Sequence, residues 1–124
     1  SRSSKTYNIL IFLIVMCLII PNLSVSIVRS TLPAIKGSVF RDFKEILFRL
    51  GIFDEKSLNK TEMTYTFGNG SFVEFFSTDS EQKLRGRKRH ILYVNEANEL
   101  LFIEWQQLKM RTTMYAIVDY IIHI

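Results

Sequence analysis

The sequence predicts an α/β layer fold organised around a mostly parallel β-sheet. Three observations carry this expectation. Short β-branched runs alternate with helix-like segments, one segment has a clean helical period, and a Gly-Asn-Gly turn joins two strand-like runs. Alternation of strand and helix is the pattern of a parallel sheet flanked by helices.

The elements follow in order. Ile9 to Ile20 are twelve consecutive apolar residues stopped by Pro21. The run is shorter than the roughly 20 residues a membrane span needs. It reads either as a buried helix or as the apolar core of a secretory signal, with Arg2 and Lys5 before it and Ser24-Val25-Ser26 as a small-residue cleavage site. Ser24 to Arg29 is short and β-branched, a strand. Pro33 and Gly37 bracket a loop. From Ser38 to Leu50, the residues Val39, Phe40, Phe43, Ile46, Leu47 and Leu50 fall on one helix face. Ser38 stands where an N-cap belongs, Gly51 where a stop belongs, and Glu45 and Arg49 make an i,i+4 pair. Residues 53–61 are polar and loop-like. Met63 to Phe67 and Phe72 to Phe76 flank Gly68-Asn69-Gly70 and predict a β-hairpin. Ser77 to Arg89 is polar and charged. Ile91 to Val94 is an apolar strand, Leu101, Trp105 and Leu108 mark a helix face, and Tyr115 to Val118 is a last strand.

Composition limits the function classes. A chain of 124 residues is one domain, because domains run about 100–200 residues. With 48% apolar and 23% charged residues it is neither disordered nor collagen-like. Cys17 is the only cysteine, which excludes an intrachain disulfide. One cysteine with two histidines, His90 and His123, is too few for a structural zinc site. The charge of +4 suits a polyanionic partner without requiring one. The chain starts at Ser1 and stops inside an apolar run, so a fragment of a longer protein is expected.

Two segments carry chemistry. Ser1-Arg2-Ser3-Ser4-Lys5-Thr6 precedes the apolar run. A phosphate loop needs small residues so that backbone N–H groups close on phosphate. It also needs a lysine for the terminal phosphates and a hydroxyl for Mg²⁺, at a helix N-terminus. Lys5 and Thr6 supply the last two, and Ser4 stands where glycine is usual. The second segment is Ile91-Leu92-Tyr93-Val94-Asn95-Glu96, four apolar residues and then two polar ones, as in a Walker B strand. Such a strand holds its acid in the crevice at the carboxyl edge of the sheet. A glutamate there can polarise the water that attacks a γ-phosphate. Further on, Lys83, Arg85, Arg87, Lys88 and Arg89 place five basic residues in seven. They form either a solvated loop or a contact with a DNA backbone.

Taken together, these segments resemble the ATPase domain of the large terminase subunit, the DNA-packaging motor of tailed phages. Ser1 to Tyr7 resembles that family's serine-rich Walker A loop. Ser26 to Pro33 is similar to its next strand and turn, and Gly37 to Phe43 to its following helix. Phe67-Gly68-Asn69-Gly70-Ser71 and Lys83-Leu84-Arg85-Gly86 resemble its hairpin and the loop before Walker B. Tyr93-Val94-Asn95-Glu96-Ala97-Asn98-Glu99-Leu100 carries the most specific likeness, with Trp105 to Leu108 and Arg111-Thr112-Thr113 behind it.

The resemblance implies a partial P-loop NTPase of RecA/ASCE type over residues 1–124. That is a mostly parallel sheet with flanking helices and an inserted β-hairpin, lacking the family's first strand and its C-terminal nuclease domain. The apolar run becomes the helix after the phosphate loop. The resemblance implies ATP and Mg²⁺ as cofactors, with Ser3, Ser4, Lys5 and Thr6 on the nucleotide. It implies Thr6 and Asn95 near the metal, Glu96 as general base and Arg2 on the γ-phosphate. Double-stranded DNA, a portal protein, a small terminase subunit and a homo-oligomeric ring are the implied partners. The implied compartment is the bacterial host cytoplasm, with no membrane. Departures are the missing glycine before Lys5, Asn95 in the usual aspartate position, and Ile121-Ile122 where Asn-Pro would stand. Two alternatives follow from the residues: a degenerate, inactive remnant, or a small secreted or membrane-tethered binding protein. In the latter, residues 1–26 are a signal peptide and Asn22, Asn59 and Asn69 head glycosylation sequons.

Overall fold

The computed structural model describes residues 4–86 and 88–118. Helix α1 (Ser4–Ile19) leads into strand β1 (Ser24–Arg29), and helices α2 (Leu32–Lys36) and α3 (Val39–Arg49) follow. Next come β2 (Leu58–Asn59), β3 (Thr64–Thr66) and β4 (Phe72–Ser77), then α4 (Glu81–Gly86) and β5 (Arg89–Val94). Helix α5 (Phe102–Met110) and β6 (Thr112–Val118) complete the described elements.

The six strands form one sheet in the order β2-β3-β4-β1-β5-β6. Strands β4, β1, β5 and β6 are parallel neighbours, while β2 and β3 add antiparallel pairs beyond β4. The β3–β4 pair, in register at Thr66 and Phe72, is the expected hairpin. Among the described residues β6 pairs only with β5, and none of its side chains is fully buried.

Helices cover both faces, as a parallel sheet requires. On one face Leu10, Leu13, Ile14 and Cys17 of α1 and Val39, Phe43, Ile46 and Leu47 of α3 pack on Val25, Ile27, Val73, Phe75, Ile91 and Tyr93. Phe75 meets Phe40 and Phe43 edge to face, with centroids 5.0 and 5.1 Å apart. On the other face Leu84 of α4 and Leu108 of α5 pack on Val28, Phe76, Leu92 and Val94. Strand alternation sorts the two sets, since successive side chains point to opposite faces.

Helix α1 is apolar all round, so its sequence does not say which side is buried. Thr6, Leu10, Leu13, Ile14 and Cys17 face the core, and Ile11, Phe12, Val15, Leu18 and Ile19 are exposed. Burial pushes the Cys17 thiol up to about 12. The end of α1 is capped from afar. The Asn69 side-chain amide donates to the Cys17 carbonyl at 2.9 Å, and the Ser71 hydroxyl donates to the carbonyl of Ile20. Gly70 makes this tip possible: its φ is +89°, and a Cβ there would collide with the Asn22 side chain. These contacts overturn the signal-peptide alternative. Residues 24–26 lie in the central strand β1, α1 belongs to the core, and the Asn69 amide is engaged with main chain.

Three short elements lie where loop is expected. Thr31 caps α2 by accepting from the Ala34 N–H at 3.3 Å, and Pro33 sits in its first turn, where proline is favoured. Helix α4 occupies part of the charged stretch, and β2 extends the hairpin side of the sheet. Elements of two to six residues are too short to show a period. Ser38 does occupy the N-cap position of α3, but its hydroxyl donates to the Ala34 carbonyl at 2.6 Å and makes no cap bond. The Glu45–Arg49 pair forms at 3.3 Å on the surface.

Candidate functional site

Connections leave β1 and β5 toward opposite faces of the sheet. The chain after β1 enters α2 and α3 on the α1 side, and the chain after β5 enters α5 on the other. Between two such neighbouring parallel strands a crevice opens at their carboxyl ends, the usual ligand position in α/β sheets. Arg29 ends β1 and Asn95-Glu96 follow β5, so three polar side chains stand at this crevice.

Glu96 adopts a left-handed backbone, φ 55° and ψ 57°. A non-glycine residue held there stores about 1–3 kcal/mol of strain. The turn brings its carboxylate onto Arg29, with Nη2 and Oε1 2.7 Å apart. Arg29 is held from other sides as well. Nη1 donates to the Ser38 hydroxyl at 2.7 Å, and Nε lies 3.4 Å from Glu99 Oε1. Glu99 Oε1 also accepts from the Ser30 hydroxyl at 2.8 Å. Burial raises the Glu96 carboxyl above its ordinary value, Arg29 pulls it down, and Glu99 pushes it up again. Glu96 is therefore a carboxylate raised above its ordinary value while already facing a cation.

Asn95 is 4% exposed and donates from its amide to the Tyr93 hydroxyl at 3.1 Å. Tyr93 belongs to the α1-side core, so Asn95 points to that face. Helix α1 starts on the same side. Its 16 residues span about 24 Å, and a four-residue turn joins it to the amino end of β1. Its first turn, with Lys5 exposed and Thr6 buried, therefore lies at the carboxyl edge. A helix N-terminus presents free N–H groups and positive potential to phosphate. The Thr6 hydroxyl and the Asn95 amide oxygen are hard, uncharged donors. They fit Mg²⁺, which keeps much of its water and is bound by few protein groups beside phosphates.

The expected residues are not all placed together. Ser4 opens α1 and is exposed. Arg2 and Ser3 lie outside the described residues, as do Arg87 and the Ile121-Ile122 pair. The basic run is dispersed. Lys88 and Arg85 are exposed, and Lys83 Nζ donates to the Glu62 carbonyl at 3.2 Å. Arg89 requires a correction, since it is 1% exposed and cannot meet a DNA backbone. Its Nε donates to the Ser26 hydroxyl at 2.8 Å, its Nη1 to the Leu108 carbonyl at 3.1 Å, and Ser26 donates to Glu74 at 2.6 Å. Arg29 and Glu99 are site residues that sequence reasoning misses. For Arg29 the available signal is a charge closing an apolar strand, the same signal that marks Glu96. Among the described residues no group of three or more metal-binding side chains exists, and no helix is long and apolar enough to cross a membrane.

A sequence-family profile described as phage terminase large subunit matches residues 1–121. The chain belongs to that family. Solved terminases share its fold. A large terminase from a thermophilic bacteriophage superposes with a TM-score of 0.73 at 12% identity, over 93% of this chain and 29% of that one. The same phage's large terminase in complex with ADP gives 0.67 at 15% identity, over 93% and 28%. The large terminase ATPase domain of Thermus phage P74-26 gives 0.69 at 16% identity, over 96% and 55%. A comparison with curated proteins finds no match. This terminase chain thus spans less than a third of the thermophilic phage's large terminase, and it shares the fold of the ATPase domain of the Thermus phage enzyme.

Proposed function

We propose that this chain forms part of the ATP-hydrolysing motor that drives double-stranded DNA into phage proheads. The observation that carries the reading is Glu96. It stands on a strained left-handed backbone, with its carboxyl raised by burial, at the carboxyl end of β5, on the crevice that the start of α1 also faces. Lys5 and the α1 N-terminus hold the nucleotide's phosphates, with Ser3 and Ser4 in the preceding loop and Arg2 on the γ-phosphate. Thr6 and Asn95 would hold the water shell of Mg²⁺, which would supply charge neutralisation to the nucleotide's phosphates. Glu96 orients and deprotonates the attacking water. Arg29 neutralises the Glu96 carboxylate in the arrangement seen, so the carboxylate must turn from the guanidinium to meet water. Arg85 and Lys88 are the exposed cations of the basic run that suit the DNA backbone. Family membership supports a homo-oligomeric ring working with a portal protein and a small subunit in the bacterial host cytoplasm.

The test separates holding ATP from hydrolysing it, in the intact terminase. Glu96→Gln lowers single-turnover hydrolysis by at least about 10²-fold, the usual scale for a general base, and leaves ATP affinity within a few-fold. Lys5→Ala does the opposite in calorimetry and abolishes measurable ATP binding. Hydrolysis at the parental rate by the glutamine variant places the base elsewhere. Unchanged ATP affinity in the alanine variant removes the phosphate-loop assignment.

A further inference from the structure

Arg29 faces two carboxylates from the same turn. Its Nη2 lies 2.7 Å from Glu96 Oε1, and its Nε lies 3.4 Å from Glu99 Oε1. The two contacts differ in quality. The Glu96 contact is a short charge-assisted bond, and the Glu99 contact is long for one. Glu99 does not need Arg29 to be held there, because the Ser30 hydroxyl donates to the same oxygen at 2.8 Å. Its carboxylate is therefore parked beside the guanidinium by a residue of the neighbouring strand end. Arg29 is also anchored from behind by Ser38 at 2.7 Å, so the guanidinium cannot follow Glu96 far.

We propose that Glu99 is a positioning residue for hydrolysis. It is the standby carboxylate that takes up Arg29 when Glu96 turns to the attacking water. This rests on the reading of Glu96 as general base. The physical reason is the cost of stranding a charge. The Arg29 side chain is only 12% exposed, and a cation at such a site that loses its short ionic contact is left poorly solvated. With Glu99 already within reach, a small rotation of Arg29 shortens the Nε contact as the Nη2 contact opens. Glu96 then leaves without stranding the guanidinium. Ser30 is the second part of the device, because it keeps Glu99 in place while neither acid fully owns the arginine.

The spacing supports the assignment. Glu96 precedes the single 3-10 turn of residues 97–99 and Glu99 closes it, and both carboxylates reach Arg29 at the end of β1. Among the described residues, Glu99 is bound to Arg29 and Ser30 at the end of β1.

The experiment is a double-mutant cycle in the intact terminase, reading kcat beside ATP affinity by calorimetry. Glu99→Gln keeps the shape and removes the standby charge. It lowers kcat about tenfold, the scale of stranding one partly buried charge, and leaves ATP affinity within about twofold. Ser30→Ala retains every charge, loosens Glu99 and moves kcat the same way by less. In an Arg29→Gln background there is no guanidinium to strand, so Glu99→Gln changes kcat by less than about twofold. A parental kcat for Glu99→Gln overturns the proposal, as does an equal loss in both backgrounds. A fall in ATP affinity that matches the fall in kcat marks a merely structural residue and also overturns it. The companion Glu96→Gln variant separates the two readings. If that variant is inactive while Glu99→Gln is parental, only the role of Glu99 fails. If it hydrolyses normally, the base assignment fails whatever Glu99 does.

Discussion

Arg29 and Arg89 stand at opposite ends of the same parallel strands, and each is tied to a carboxylate in a different way. Arg29 closes β1 at the carboxyl edge and meets Glu96 and Glu99 directly, in a crevice open to solvent. Arg89 opens β5 at the amino edge and reaches Glu74 through the Ser26 hydroxyl, wholly enclosed under α4 and α5. Arg29 has two acids and can exchange them. Arg89 donates to the Ser26 hydroxyl and to the main-chain carbonyls of Leu108 and Lys83, and it lies over the Phe76 ring. The same side chain thus makes a working part where the sheet is open and a bolt where it is closed.

The largest expected effect breaks the bolt. Arg89→Met removes the buried cation that reaches Glu74 through Ser26 and lowers stability by about 3–5 kcal/mol. Adding Glu74→Gln returns a good part of that loss, because no charge is then stranded. Urea denaturation of both variants measures it, and additive losses would show that the two residues are not linked. Arg29→Gln is expected to be milder and to act on chemistry. Arg29 pulls the Glu96 carboxyl down, so its removal shifts that group upward and moves the acid limb of the pH–rate profile toward higher pH. Hydrolysis on the acid side of the profile then falls relative to the alkaline side, while hydrolysis well above the limb is retained. A limb that moves toward lower pH contradicts the pairing. The smallest effect distinguishes Arg89 from its neighbour. Lys88 is exposed, so Lys88→Ala weakens DNA binding a few-fold and reduces the slope of log affinity against log salt by about 0.9. Folded Arg89→Met protein keeps the parental slope, and a reduced slope there would mean that Arg89 touches phosphate.

Part of this arrangement is visible in the sequence, and the rest is hidden for identifiable reasons. The place of Glu96 at a strand end is legible, because four apolar residues followed by two polar ones mark the end of a buried strand. Any buried strand followed by a polar turn looks alike, so its chemistry is not read from that pattern. Helix α3 is legible because Arg41, Glu45 and Arg49 mark its outer side and its buried stripe stands out, although Phe48 is exposed and Leu50, expected on the buried face, is exposed beyond the helix end. Helix α1 can be found but not oriented, since Ile11, Phe12, Val15, Leu18 and Ile19 are as apolar as the residues they hide. Arg89 is easily misread because five basic residues in seven look like a solvated loop. A register shift between Arg89 and Ile91 in the β5–β6 pairing breaks the alternation and accompanies the inward turn of Arg89. Irregularities of that kind leave no mark in a pattern of apolar and polar residues. Glu99 escapes a reading of the sequence because its partners, Arg29 and Ser30, are about 70 residues away and become neighbours only through parallel β1–β5 pairing.

The capping of α1 by Asn69 has a consequence for the order in which the protein assembles during synthesis. The amide that satisfies the Cys17 carbonyl lies 52 residues further along the chain. Helix α1 therefore leaves the ribosome before the hairpin and finishes after it. Its last turn stays frayed, with its carbonyls on water, until the hairpin has been made and docked. Long loops of this kind close slowly. The amino end of α1 acquires a fixed support only after the tip of the hairpin has locked the opposite end, so on the proposed phosphate-loop reading nucleotide binding follows hairpin docking in time.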